Sequence, residues 1–143
     1  MLHLIKLSVG PDSLDDLKQW QIGRLKQLKA AGRKPQLTHI TRHKPKRDAE
    51  LLDGGSIYWV IKGRIVARQR LLGFRPAVKN HTPHCALVYD AKLIPVHPRP
   101  HRAFQGWRYF KPADAPRDLL QRDDIDETLP EDMRRELAEF GVI

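Results

Sequence analysis

Ile57-Tyr58-Trp59-Val60-Ile61-Lys62-Gly63-Arg64-Ile65-Val66-Ala67-Arg68-Gln69-Arg70-Leu71 carries the strongest β signal in this 143-residue chain. Its first five residues are β-branched or aromatic, side chains that pack well on a pleated, half-buried surface. Lys62-Gly63 separates them from a second extended run, and glycine there supplies the positive φ that a two-residue hairpin turn requires. The pattern predicts a tight antiparallel hairpin, with one long kinked strand as the alternative. Period-two alternation over the second arm puts Arg64, Arg68 and Arg70 on one face and Ile65, Ala67 and Leu71 on the other. One side then buries while the opposite side carries guanidinium groups.

Toward the N-terminus, residues 2–9 set Leu2 and Leu4 against His3, Ile5, Leu7 and Val9, the mark of an inner strand apolar on both faces. Gly10-Pro11-Asp12-Ser13 is a turn in which Asp12 or Ser13 caps a helix. In that helix Leu14, Leu17, Gln21, Leu25 and Leu28 share a face, with Trp20 at its edge and an end near Gly32. Residues 37–41 suit a short strand, and Pro45 opens a short helix through Ala49, Leu51 and Leu52 that Gly54-Gly55 stops. Toward the C-terminus, residues 85–90 form another strand, and Pro95 marks the one after it as an edge. An extended Pro-, Arg- and His-rich segment then leads to Phe104-Gln105-Gly106-Trp107-Arg108-Tyr109-Phe110, a last strand or structured loop. From about 112 the composition turns acidic, before a closing helix over 130–140.

At 143 residues the chain fits a single domain, 1–143, with enough material for a core of its own. With 41% apolar and 30% charged residues it is too hydrophobic for wholesale disorder, and no apolar run is long enough to span a membrane. The N-terminus lacks the pattern of a secretory signal, and the one cysteine, Cys85, permits no internal disulfide, so the expected location is the cytoplasm. Residues 24–111 hold 20 Lys or Arg against Asp48, Glu50, Asp53 and Asp90, a formal +16, whereas the flanks are net acidic. A single-sign region of this size points to a polyanionic partner.

The basic groups concentrate in Arg42-His43-Lys44-Pro45-Lys46-Arg47, and Arg64, Arg68, Arg70 and Arg108 extend the same sign. Arg42, Lys44, Lys46, Arg47, Arg64, Arg68, Arg70 and Arg108 are the candidate phosphate contacts, and Trp107 or Tyr109 the candidate stacking platform for a base. Trp59, inside an apolar strand, reads as core. His81, His84 and Cys85 match no strong metal spacing, so neither a metal nor a cofactor is expected. Asp48, Glu50 and Asp53 fall on different faces of a short helix, and His84 with Cys85 would point to opposite sides of a strand, so no catalytic constellation is assigned.

Four pieces resemble a bacterial family of small proteins known only as a domain of unknown function: Leu2-His3-Leu4-Ile5-Lys6-Leu7, the stretch from Pro45-Lys46-Arg47 through Glu50-Leu51-Leu52-Asp53-Gly54-Gly55 to Gly63, Arg68-Gln69-Arg70, and Phe104-Gln105-Gly106-Trp107-Arg108-Tyr109. That resemblance implies no activity. In element order, a short helix ending in Gly before a strand pair also resembles the PUA-like barrels, including the ASCH and EVE groups, which bind RNA or modified nucleotides. The expected fold is therefore α+β: a curved, mostly antiparallel PUA-like sheet or barrel with a long helix in the N-terminal half and a C-terminal helix. The expected function is noncatalytic RNA or nucleotide binding through a basic face. The alternatives are an enzyme acting on a nucleotide or RNA phosphate and an adaptor for an acidic protein.

Overall fold

The computed structural model describes residues 1–119 and Arg135. Among residues 1–119, seven strands, β1 (His3–Leu7), β2 (Leu37–Thr41), β3 (Ser56–Ile61), β4 (Arg64–Lys79), β5 (Thr82–Tyr89), β6 (Ile94–Pro100) and β7 (Trp107–Phe110), accompany two α-helices, α1 (Leu14–Ala30) and α2 (Asp48–Leu52). The fold is α+β and mostly sheet. The strand order is β2-β5-β4-β3-β1-β7, with β6 paired to β4, and the sheet is mixed: β1 runs parallel to β3 while the other ladders are antiparallel. The C-terminal helix expected over 130–140 lies, apart from Arg135, outside the described residues. Among the described residues no helix is long and apolar enough to cross a membrane.

The predicted hairpin forms. Lys62 and Gly63, between β3 and β4, take positive φ of 49° and 75°, the twist that joins two antiparallel strands with a two-residue turn. β4 then continues for 16 residues, its first half paired with β3 and β6 and its second half with β5. Its register with β5 shifts between Leu71 and Gly73, where the strand passes from one set of partners to the other. β1 is the inner strand that its two apolar faces predict, lying between β3 and β7. β6, with Pro95, has β4 as its ladder partner and an isolated bridge from Val96 to Asp118.

One bulge changes which residues share a face. Val60 pairs with Ile65 but Trp59 pairs with Ala67, so Val66 is the extra residue on β4. Ile65 joins Ile5, Tyr58 and Val60 in one apolar cluster, while Val66, Ala67 and Leu71 join Leu4, Trp59 and Ile61 in the other. Arg64, opposite Ile61, and Arg68, opposite Tyr58, thus lie on opposite faces. The expected row of three arginines is corrected to Arg68 and Arg70.

Ser13 caps α1 by accepting a bond from the Asp16 amide at 3.1 Å, and the helix lays Leu14 and Leu17 on the Trp59 face of the sheet. Gln21, buried among them, exchanges two 2.8 Å hydrogen bonds with Gln69 of β4. Gln69 also accepts from the Trp59 indole at 2.8 Å and donates to the Asp90 carbonyl at 2.9 Å. Helix, hairpin and the turn after β5 are thereby joined through one fully buried amide.

On β1, buried His3 accepts the Ser56 amide at Nδ1 over 3.0 Å and sets its ring edge against Tyr58. Burial first, then the nearby Arg68 charge, lower its pKa from 6.5 to about 4. Above pH 6.5 the ring is neutral folded or unfolded and costs nothing. As the pH falls from 6.5 toward 4 the unfolded chain takes up a proton that the folded chain refuses, so stability declines. Between pH 7 and 5 the expected loss from His3 is about 2 kcal/mol. His39, also held at about 4, acts in the same direction. Urea unfolding at the two pH values, with NMR titration of the His3 ring, checks this. Equal stability at both, or a ring that titrates near 6.5, would contradict it.

Candidate nucleic-acid interface and an adjoining cleft

Sequence-distant segments meet at one corner of the sheet. β2 runs into the basic stretch from Arg42 to Arg47, and β7 brings Trp107 and Tyr109 against it. The Trp107 indole donates to the Thr41 hydroxyl at 3.1 Å, and the Tyr109 hydroxyl accepts from the Arg47 amide at 3.1 Å. The Arg47 guanidinium lies 5.5 Å over the Tyr109 ring, which meets Trp107 edge to face at 5.1 Å. β2 and β7 are the two ends of the strand order, so these side chains join the sheet's edges where, among the described residues, no ladder does.

Within the basic run the cations differ. Lys44 pairs with Asp48 at 2.9 Å and Arg47 forks onto Glu50, one arm at 2.8 Å, both in the open where a phosphate competes at little cost. Arg42 donates to the Pro83 carbonyl, and Lys46 is exposed. The other candidates fall elsewhere. Arg108 points away from Trp107 and Tyr109 because neighbours on a strand alternate, and its guanidinium lies 5.1 Å over Phe104. Stacking and clamping at 107–109 are thus split across β7. Arg68 forks onto Asp118 with two 2.7 Å bonds, donates to Ser56 Oγ at 2.8 Å, and ties β4 to the segment after β7. Arg70 is exposed and Arg64 half-buried. Of the residues weighed for chemistry, Cys85 is buried and the half-buried His84 ring lies 2.8 Å from the Thr82 carbonyl.

A cleft of about 470 Å³ adjoins this corner, between the start of α1 and strands β1, β2, β3 and β5. Lys6 lies in register between Trp59 on β3 and Trp107 on β7, so three neighbouring strands carry one row of side chains. The Lys6 ammonium is 3.4 Å from the Leu7 carbonyl and, among the described residues, has no carboxylate within ion-pair distance. Burial holds its pKa below the usual lysine range. His39 stands edge-on to Trp59 at 6.5 Å. Burial, then the charges of Lys6 and Lys79, lower it to about 4 and keep it neutral at pH 7. Tyr89 meets Trp59 at 5.7 Å, its hydroxyl pushed up to about 12 by burial. Trp20, 55% exposed, stands at the mouth.

A protein-family model described as "Protein of unknown function (DUF1489)" matches residues 4–143. The chain belongs to the DUF1489 family. This is an uncharacterised family, as the resemblance implied. No curated protein and no solved structure matches the chain.

For this DUF1489 chain the chemistry therefore rests on its own side chains. The cleft residues Lys6, His39 and Tyr89 escaped sequence reasoning, although one signal was present. Lys6 is a charged residue at an alternating position of a strand apolar on both faces, where burial is costly unless a partner compensates it. His39 and Tyr89 had no such mark, since each sits in an ordinary strand pattern. What the cleft offers is aromatic wall, one cation in Lys6, one neutral imidazole in His39 and one carboxylate in Asp16.

Proposed function

We propose that the chain is a noncatalytic RNA- or nucleotide-binding protein. The observation that carries this reading is the meeting of the basic run Arg42–Arg47 with the aromatic pair Trp107 and Tyr109, from segments more than 60 residues apart, beside the Lys6 cleft. Cations follow the phosphates while aromatic faces take bases, the division of labour in single-strand recognition. The joining of β2 to β7 by the Trp107–Thr41 bond supports the further reading of a PUA-like barrel, a curved sheet whose ends meet. Fold analogy by itself transfers function poorly, so the assignment stands on the site.

Phosphate contact is expected to make binding fall with salt. For a short single-stranded RNA, log Ka against log salt should slope by roughly −0.7 per neutralised phosphate, about −2 for three contacts. Arg42→Ala with Lys46→Ala should flatten the slope and weaken binding. Fluorescence titration from low to physiological salt measures it. RNA that fails to bind at low salt, or binds indifferently to salt, would overturn the proposal, and turnover of the bound RNA would favour the enzyme alternative.

A further inference from the structure

The cleft bounded by Trp20, Lys6, His39, Trp59 and Tyr89 has a chemistry narrower than the basic corner beside it. Its volume lies in the range of small-ligand sites. Trp59 is held in place by its bond to Gln69 and by T-shaped ring contacts with Tyr89 and His39, so it forms a fixed wall. Trp20 also lines the cleft, from α1, with more than half its surface open to a ligand. Lys6, lining the same cleft, is a buried cation without a carboxylate partner among the described residues, so an anion is the missing complement. Asp16, also at the cleft, accepts from the Asp12 amide at 3.2 Å.

We infer that the cleft receives one nucleotide unit, its base stacked on Trp20 and its phosphate held by Lys6. This deepens the proposed function and rests on it. The row Trp107–Lys6–Trp59 carries the argument from corner to cleft: adjacent strands lie about 4.8 Å apart, so a backbone lying on the basic corner is one strand from the Lys6 ammonium. His39, kept neutral, adds no second charge and offers a ring nitrogen to the edge of a base. The same chemistry fits a free nucleoside monophosphate or an unpaired nucleotide of an RNA.

The test titrates the four common nucleoside 5′-monophosphates and a short single-stranded RNA into the wild type, Trp20→Ala, Lys6→Met and, on the polar side of α1, Lys26→Ala. Circular dichroism establishes which variants fold. Trp20 is exposed, so its variant keeps the test valid even if Lys6→Met does not fold. Trp20→Ala is expected to lose about tenfold or more in affinity, Lys6→Met a comparable factor, and Lys26→Ala less than twofold. Losses seen with monophosphates identify a free nucleotide as the ligand. Losses seen with RNA alone identify a nucleotide within a strand. Salt-dependent RNA binding that Trp20→Ala and Lys6→Met leave unchanged would overturn the inference while sparing the proposed function. Absence of RNA and monophosphate binding by the wild type would overturn both.

Discussion

Gly55→Ala is expected to remove more than about 4 kcal/mol of stability, enough to leave much of the chain unfolded under ordinary conditions. Gly55 is buried at the end of α2, where its amide bonds to the Leu51 carbonyl at 3.0 Å and its carbonyl accepts from the Leu71 amide at 3.0 Å. A Cβ there would fall inside the van der Waals radii of both the Leu2 and the Leu51 carbonyl oxygens. These are backbone atoms in hydrogen-bonded segments, so no rotamer change relieves the clash and either β1 or α2 must shift. Gly23→Ala is the contrast: nothing lies within 4 Å of the added methyl, and alanine in a helix interior gains about 0.5 to 1 kcal/mol. Urea denaturation of the two variants measures both. A Gly55 variant within 1 kcal/mol of the wild type would show that the approach of α2 to β1 is softer than described.

Gln69→Leu is expected to cost about 4 kcal/mol although leucine is apolar and of similar size. The change strands the Trp59 indole N–H, the Gln21 amide and the Asp90 carbonyl around a fully buried position. Each orphaned buried group costs about 1 to 3 kcal/mol. The paired change Gln21→Leu with Gln69→Leu should cost less than the sum of the single changes, because neither amide then waits for the other. Strict additivity in this cycle would mean the two glutamines do not act as a unit. Loss of the near-ultraviolet signal of Trp59 should accompany unfolding in each case.

Much of the frame was legible along the chain because its causes are local. Lys62-Gly63 forces a tight turn, Ser13 caps a helix whose leucines repeat at helical spacing, and the double-sided apolar run of residues 2–9 suits an inner strand. The Arg64–Arg70 face was misjudged for a reason equally physical. A single extra residue inverts every side chain beyond it, and the bulge at Val66 is set by its pairing to β3 and β6 rather than by its own residues. Arg68, exposed by alternation, is claimed by Asp118. Trp107 and Arg108, adjacent in sequence, serve opposite faces.

The amino-acid order alone determined an α+β chain, its hairpin, its first helix and the basic character of residues 24–111, because propensity, capping and charge act over a few residues. Only the tertiary structure decided that Thr41 and Arg47 meet Trp107 and Tyr109, that Gln21 finds Gln69, and that Lys6 stands between two tryptophans in a cleft. Those pairings join residues tens of positions apart, and their partners are chosen by strand order and register, which the packing of the whole sheet sets together.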